Sequence, residues 1–199
     1  MPATETTADP LGRFQTLMDD AAAAGVELAN AVSLCTVTDG RPWARTVLVK
    51  GISDRGVRFF TNHESNKGRA LLAGSEAALC VYWHATLMQV QLAGPVEPIP
   101  AADSDAYFAS RARGSRVGAW ASDQSRPIES RAALLDKVAA AEARFAGSED
   151  VPRPPHWGGF EVVPHTLEIW HDGEHRIHHR ERFTRATPGS PWELTLLQP

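Results

Sequence analysis

The sequence predicts a mainly β fold of the α+β class: a β-barrel with peripheral helices. Three observations predict it. Runs rich in Val, Ile, Thr and aromatic residues recur between turn-forming residues before residue 100 and again after residue 157. Asp39-Gly40 joins two of these runs as a tight hairpin signal. Many short strands with one helical section inserted among them argue for antiparallel pairing and a barrel with peripheral helices.

Residues 1–9 are polar and read as a disordered N-terminus. Residues 10–199 read as a single domain, long enough to bury a substantial core. The first helix spans residues 10–24, with Leu11, Phe14, Leu17 and Met18 on one face and Gly25 to end it. Residues 31–38 and 43–50 form the strands of the hairpin, and 57–61 another strand. Residues 66–73 read as a short helix, then 77–84 and 87–99 as strands. Helices follow at 101–111 and 128–145, separated by a stretch punctuated with Gly, Ser and Pro. Residues 147–155 make a loop, and short strands return at 159–163, 166–170, 175–183 and 192–197.

The net charge of -4 favours neither nucleic acid nor an anionic membrane as partner. Basic residues are therefore expected to act locally, in pockets. No run is long and apolar enough to span a bilayer, and the N-terminus lacks the apolar core of a signal peptide, so a cytoplasmic protein is expected. Cys35 and Cys80 sit in apolar runs (AVSLCTV, AALCVYW) and read as buried thiols in strands, ahead of a disulfide or a nucleophile.

The densest chemistry is WHDGEHRIHHR, Trp170 to Arg180, with four His and two Arg around a Gly turn. As one strand, it would place Arg176, His178 and Arg180 on one face and His175, Ile177 and His179 on the other. A metal site would draw two or three His together with a carboxylate, and Asp172 and Glu174 are near. Two Arg beside His178 repel a cation and favour an anionic organic ligand, so no metal is expected. A solvated, charged hairpin is the plain alternative.

Other segments offer similar choices. Arg45-Thr46-Val47-Leu48-Val49-Lys50 begins and ends with a cation. Positions five apart face opposite ways, so one ligand touching both needs a bulge or must wrap the strand end. An exposed edge strand explains the same pattern. After Phe60 and Thr61, a polar turn leads into a helix start carrying Ser65, Asn66 and Lys67. That suits an anion, or Ser65 is a simple N-cap. Gln89 and Gln91 share a strand face, either toward a flat heterocycle or toward solvent. Tyr107, Arg111 and Ser115 stand at steps of four and would suit a phosphate monoester if one helical face carried all three. The last step crosses Gly114, and a solvated helix end gives the same spacing. Gln124 and Ser125 lie in GAWASDQS, which suits a binding loop or a helix connection.

Taken in order, RTVLVK, FFTN, SNKG, QV at Gln89, YFASRARGS, GAWASDQS, WGGF at Trp157, EIW at Trp170, GEHRIHHR and the final LQP resemble the pyridoxine/pyridoxamine 5'-phosphate oxidase family, whose fold is the FMN-binding split barrel. The resemblance runs through most of the chain from about residue 31. It implies FMN as cofactor, held at the interface of a homodimer with two equivalent sites. It implies flavin contacts from Arg45, Thr46, Val47, Leu48, Val49 and Lys50, and from Phe60, Thr61, Asn66, Lys67, Gln89, Trp170 and Arg180. Gln124 and Ser125 would reach the cofactor from the other subunit. Lys50, Tyr107, Arg111 and Ser115 resemble the substrate's phosphate clamp, and Arg176 and His178 would stand at the pyridine ring and its reacting carbon as the catalytic pair.

Two departures matter. Asn66 stands where the family usually has a cation, which removes one charge-assisted contact to the FMN phosphate, worth about 1.5–3 kcal/mol. Met88 stands where an Arg commonly precedes the Gln. The chain ahead of the barrel is also short for a substrate lid built from an N-terminal arm.

The implied reaction oxidises the 4' carbon of pyridoxine or pyridoxamine 5'-phosphate to pyridoxal 5'-phosphate. Hydride passes to the flavin and O2 becomes H2O2; with the amine, the imine hydrolyses to aldehyde and ammonia. The alternatives are a related FMN oxidase of another aromatic substrate, of the phenazine type, a non-catalytic FMN- or pyridoxal-phosphate-binding protein, and, more distantly, a metal hydrolase built on the His cluster.

Overall fold

Strands form where apolar residues alternate with polar ones. In Ala31–Thr38 (β1), Val32 and Leu34 are buried while Ser33 is exposed. Asp39 and Gly40 then take positive φ (51° and 71°), as a two-residue hairpin loop requires. The chain returns as Arg41–Ile52 (β2), paired with β1 from Thr38↔Arg41 to Ala31↔Leu48. The remaining strands are Val57–Asn62 (β3), Glu76–Trp83 (β4), Met88–Pro98 (β5), Trp157–Val162 (β6), Thr166–His171 (β7), His179–Thr184 (β8) and Glu193–Leu197 (β9). The coordinates come from a computed structural model and describe residues 9–74 and 76–199.

The nine strands of the described residues join one sheet, in the order β4-β1-β2-β3-β6-β5-β7-β8-β9. β4 also pairs with β5, which closes a ring of six strands. The helices are Pro10–Ala23 (α1), Asn66–Leu72 (α2), Ala101–Ser110 (α3), Arg113–Ala121 (α4) and Arg131–Arg144 (α5). This is the mainly β, split-barrel class that the sequence predicts. Among the described residues no helix is long and apolar enough to cross a membrane.

Two units are distinguished within the chain: residues 9–59, 74–97 and 161–199, and residues 60–73 and 98–160. The first holds most of the sheet. Its core includes Leu34, Phe59, Leu79, Leu167, Ile169 and Phe183, each at most 2% exposed. α1 adds Leu11 and Phe14 to this core, both 1% exposed. The Phe14 ring lies 6.1 Å from that of Trp83, whose indole N–H donates to the Ala29 carbonyl at 2.8 Å. Asp9 starts α1 by accepting from Gly12 N at 2.8 Å, with Pro10 in the first turn. Residues 1–8 of the expected disordered N-terminus lie outside the described residues. Cys35 and Cys80 are free thiols, half-buried on β1 and β4.

The second unit has a smaller core of Val117, Ala121, Ala141 and Val151, flanked by Trp120, Val138 and Phe145. Here the structure corrects the sequence reading. α4 occupies a stretch expected to be irregular because of its glycines. Burial of Val117 and Ala121 against α5 outweighs the cost of Gly114 and Gly118, about 1 kcal/mol each. α5 starts at Arg131, three residues later than expected, because the Ser130 hydroxyl caps Ala133 N at 3.1 Å.

α1 is held chiefly by its apolar face. Phe14→Ala is expected to lower stability by about 3–5 kcal/mol, measured by urea denaturation. A loss under about 1 kcal/mol would show that α1 does not dock on the sheet.

Candidate active site

Strand register sets the first group of side chains. Tyr82 of β4 stands opposite Gln89 of β5, Gln89 opposite Trp170 of β7, and Trp170 opposite Arg180 of β8. Directly opposed residues point to the same face. Val90, Leu92 and Ile169 fill the other face, which is the core. Gln89 therefore points away from the core, in a row with Trp170 and Arg180. The row is aromatic at two places, with the Tyr82 and Trp170 rings 6.2 Å apart.

Glu168 fixes the end of this row. Its side chain is 2% exposed, yet it stays ionised between two arginines. Arg180 donates to Oε1 from Nε and Nη2 at 2.8 and 2.7 Å, and Arg182 to Oε2 at 3.2 and 2.9 Å. Burial pushes the Glu168 carboxyl up, but the bonds from Arg180 and Arg182 outweigh it and hold it below the ordinary range. Arg180 Nη1 also donates to the Gln198 carbonyl at 3.0 Å.

The segment before β8 departs from expectation. Residues 174–176 form a 3-10 turn in which His175 and Arg176 have positive φ (56° and 66°). The strand begins only at His179, so Arg176, His178 and Arg180 do not alternate along one strand. Arg176 is exposed on the turn, while His178 folds back to within 4.6 Å of the Trp170 ring. His178 Nδ1 also lies 3.1 Å from Asp172 Oδ1.

On β2, Val47 and Val49 are buried, Leu48 is half-buried, and Thr46 and Lys50 are exposed. Arg45 Nη1 turns back to β1, donating to the Leu34 carbonyl at 3.1 Å and the Thr36 hydroxyl at 2.8 Å. Pairing with β3 shifts register between Val49 and Gly51, so the bulge required for a ligand shared along this strand falls at Lys50.

The second unit gathers another group. Lys67 donates to the Gln124 side-chain carbonyl at 2.8 Å and to the Thr61 hydroxyl at 3.2 Å, and that hydroxyl donates to Gln124 at 3.1 Å. Gln124 thus lies against Lys67 of the same chain. Ser125 follows with φ 70° beside an open groove of about 540 Å³. Asn66 accepts from Arg69 Nη2 at 2.9 Å, and Ser65 caps Gly68 N at 3.1 Å.

An aromatic shelf lies in the same unit. Phe60 stacks on Tyr107 at 4.0 Å and on Trp157 at 5.3 Å. Arg111 lies over the Trp157 ring at 4.8 Å. Its Nη1 is buried and has no hydrogen-bond partner among the described residues. Burial draws the Arg111 guanidinium below its usual range, and Tyr107 opposes this. The single helical face expected for Tyr107, Arg111 and Ser115 is broken: α3 ends at Ser110, Arg111 is extended, and Ser115 begins anew in α4. Tyr107 and Arg111 nevertheless meet, through Trp157. The sequence reading gave Trp157 no role. A signal was present in Gly158 and Gly159, where a Cβ would stand 2.7 Å from His63 Cε1 and 2.8 Å from Phe60 Cε1.

Residues 18–145 match the family model described as pyridoxamine 5'-phosphate oxidase. The chain belongs to this family. Residues 157–199 match a second model, the pyridoxine 5'-phosphate oxidase C-terminal dimerisation region. The pyridoxine/pyridoxamine 5'-phosphate oxidase of Brucella canis is 47% identical over 97% of this chain and 95% of its own length. PhzG from Burkholderia lata 383, solved with tetrahydrophenazine-1-carboxylic acid, is 31% identical with TM-score 0.88, covering 100% of this chain and 98% of its own. A pyridoxamine 5'-phosphate oxidase-related, FMN binding protein from Nostoc punctiforme is similar in fold at TM-score 0.73 and 18% identity, covering 94% and 97%. Glu168, which accepts from both Arg180 and Arg182, is a side chain to which the sequence reading gave no role.

A carboxylate whose folded pKa is depressed adds stability that is present above its unfolded value, about pH 4.3, and is lost as pH falls through the folded value. Glu168→Gln is expected to cost about 2–3 kcal/mol at neutral pH, below the fully buried range because both arginines are partly solvated. The gap from the unaltered protein should close on acidification below about pH 4. Urea denaturation across pH measures both; a pH-independent gap would show that the carboxylate charge is not what stabilises.

Proposed function

We infer that this protein is a pyridoxine/pyridoxamine 5'-phosphate oxidase, producing pyridoxal 5'-phosphate as O2 is reduced to H2O2. The observation that carries the reading is Arg111. A buried guanidinium nitrogen without an acceptor, laid over Trp157 beside Tyr107, suits the phosphate of a flat aromatic substrate. The 47% identity to a relative of that name supports it.

FMN is the proposed cofactor. The residues present fit it: an ammonium, a hydroxyl and an amide converge at Lys67, Thr61 and Gln124, as an anion and a polar ring edge require. These three would hold it with Asn66, Ser125 and Phe60, together with Arg45, Thr46, Val47, Leu48, Val49 and Lys50 of β2 and with Gln89, Trp170 and Arg180 of the cross-strand row. Asn66 is neutral, so it gives a weaker phosphate contact than a cation would. When bound, FMN accepts the hydride and delivers electrons to oxygen.

Lys50, Tyr107, Arg111 and Ser115 bind the substrate phosphate, and that remote binding aligns the ring. Arg176 and His178 stand at the pyridine and its 4' substituent. A homodimer is also proposed. The match to a dimerisation region supports it, as do Leu194 and Leu196, 51% and 65% exposed on β9. PhzG supports a second reading, in which the substrate is a phenazine precursor, at the lower identity of 31%.

The protein should be supplied with FMN and offered pyridoxine phosphate, pyridoxamine phosphate and tetrahydrophenazine-1-carboxylic acid in parallel, with aldehyde and peroxide measured. Turnover of at least one vitamer phosphate is expected. Turnover of the phenazine precursor alone would transfer the protein to the second reading, and no turnover at saturating FMN would leave a binding protein. Arg111→Ala is expected to raise KM by about 10–100-fold while FMN is retained. Flavin loss with an unchanged KM would remove Arg111 from the phosphate clamp.

A further inference from the structure

α2 opens with an amide, Asn66, and carries an arginine, Arg69, in its last turn. A cation so placed ordinarily stays near the terminal carbonyls of its helix. This one is drawn the other way: Arg69 Nη2 donates to Asn66 Oδ1 at 2.9 Å. The two residues stand three apart, a spacing at which helical side chains meet. Helical side chains also lean toward the N-terminus, so the long Arg69 side chain runs back along α2. Its guanidinium comes to rest at the first turn, beside Asn66.

Lys67 shares that end of the helix. With 3.6 residues per turn, Lys67 projects about 100° to one side of Asn66 and Arg69 about 60° to the other. Lys67 meets the Thr61 hydroxyl at 3.2 Å and the Gln124 amide oxygen at 2.8 Å. Asn66 and Arg69 are exposed, so a ligand can reach both. Asn66 is neutral and engages the guanidinium through one of its five N–H donors, so it orients the positive charge without cancelling it.

A phosphate monoester carries about -1.5 to -2 charge near neutral pH. The Lys67 ammonium alone leaves part of that charge unbalanced. A guanidinium supplies a second positive charge and can meet two phosphate oxygens at once.

We propose that Arg69 is the second cation of the cofactor-phosphate site, held at the first turn of α2 by Asn66 so that Lys67 and Arg69 meet the FMN phosphate together. The proposal rests on the FMN reading above. Asn66 is then a positioning residue, which recruits from three residues along the helix a charge that its own side chain lacks.

Flavin affinity can be read without turnover. Protein freed of flavin is titrated with FMN and, separately, with riboflavin, the same ring system without the phosphate. Quenching of flavin fluorescence gives each Kd. The unaltered protein is expected to prefer FMN. Arg69→Ala and Arg69→Gln are expected to weaken FMN binding by about tenfold, with riboflavin within about twofold. Asn66→Ala should weaken FMN by about threefold or more, and should add less than about twofold to Arg69→Ala, because it acts through the same guanidinium. Asn66→Arg placed in the Arg69→Ala background is expected to recover most of the loss.

Arg69→Gln keeps a strong helix former in α2, so its effect reports charge instead of helix stability. Unchanged FMN affinity in that variant overturns the proposal alone. So does equal weakening of FMN and riboflavin, which would report damage to α2 and not loss of a phosphate contact. An unaltered protein that binds riboflavin as tightly as FMN overturns it as well, and fully additive losses overturn the role given to Asn66. An unaltered protein that binds neither flavin overturns the FMN reading, and the proposal with it.

Discussion

Glu168 is a carboxylate almost wholly removed from water, and Arg180 and Arg182 keep it charged. The pairing also pins strand register. Arg182 stands directly opposite Glu168, and Arg180 reaches it diagonally from its place opposite Trp170. A slip of one residue between β7 and β8 would send both guanidinium groups to the face of the buried Leu167 and Ile169, away from Glu168. The row of Gln89, Trp170 and Arg180 therefore stands or falls with this buried charge. Arg180 meets any ligand as a group already oriented, with less rotational freedom to lose than a free side chain.

The second unit solves a similar problem with rings. A cation held away from water needs compensation, and Arg111 finds part of it in the π-face of Trp157. The stack of Phe60, Tyr107 and Trp157 also excludes water from the guanidinium, so a phosphate oxygen reaching Nη1 would form a strong, charge-assisted bond. Lys67 differs: its ammonium is engaged by a hydroxyl and an amide oxygen, neutral partners that can exchange for an anion with little loss.

Much of the fold was legible because it is written locally. The Asp39-Gly40 hairpin and the alternation of Val32 and Leu34 place β1 and β2 without any long-range information. The site residues were legible one by one through family resemblance, and their assembly was not. The strand reading of residues 175–183 failed because alternating His and Arg mimic a strand, while the left-handed backbone at His175 and Arg176 leaves no mark in composition. α4 failed because Gly114 and Gly118 weaken the helical signal and only packing on α5 restores it. Phe60, Tyr107 and Trp157 come from three distant segments, so no window of sequence contains the shelf. Asp172 beside His178 depends on a turn that only the folded backbone reveals.

The register shift in β2 carries a consequence for how the strand is counted. Up to Val49 the core-facing positions are odd-numbered; beyond the shift, Ile52 opposes the buried Val57. If Lys50 is left out of the count, the sequence Val47, Val49, Ile52 becomes an unbroken alternation, matched to Phe59 and Val57 on β3. Lys50 is thus the supernumerary residue of β2, added to a ladder whose arithmetic is complete without it. What it brings to that point of the strand is a side chain ending in an ammonium.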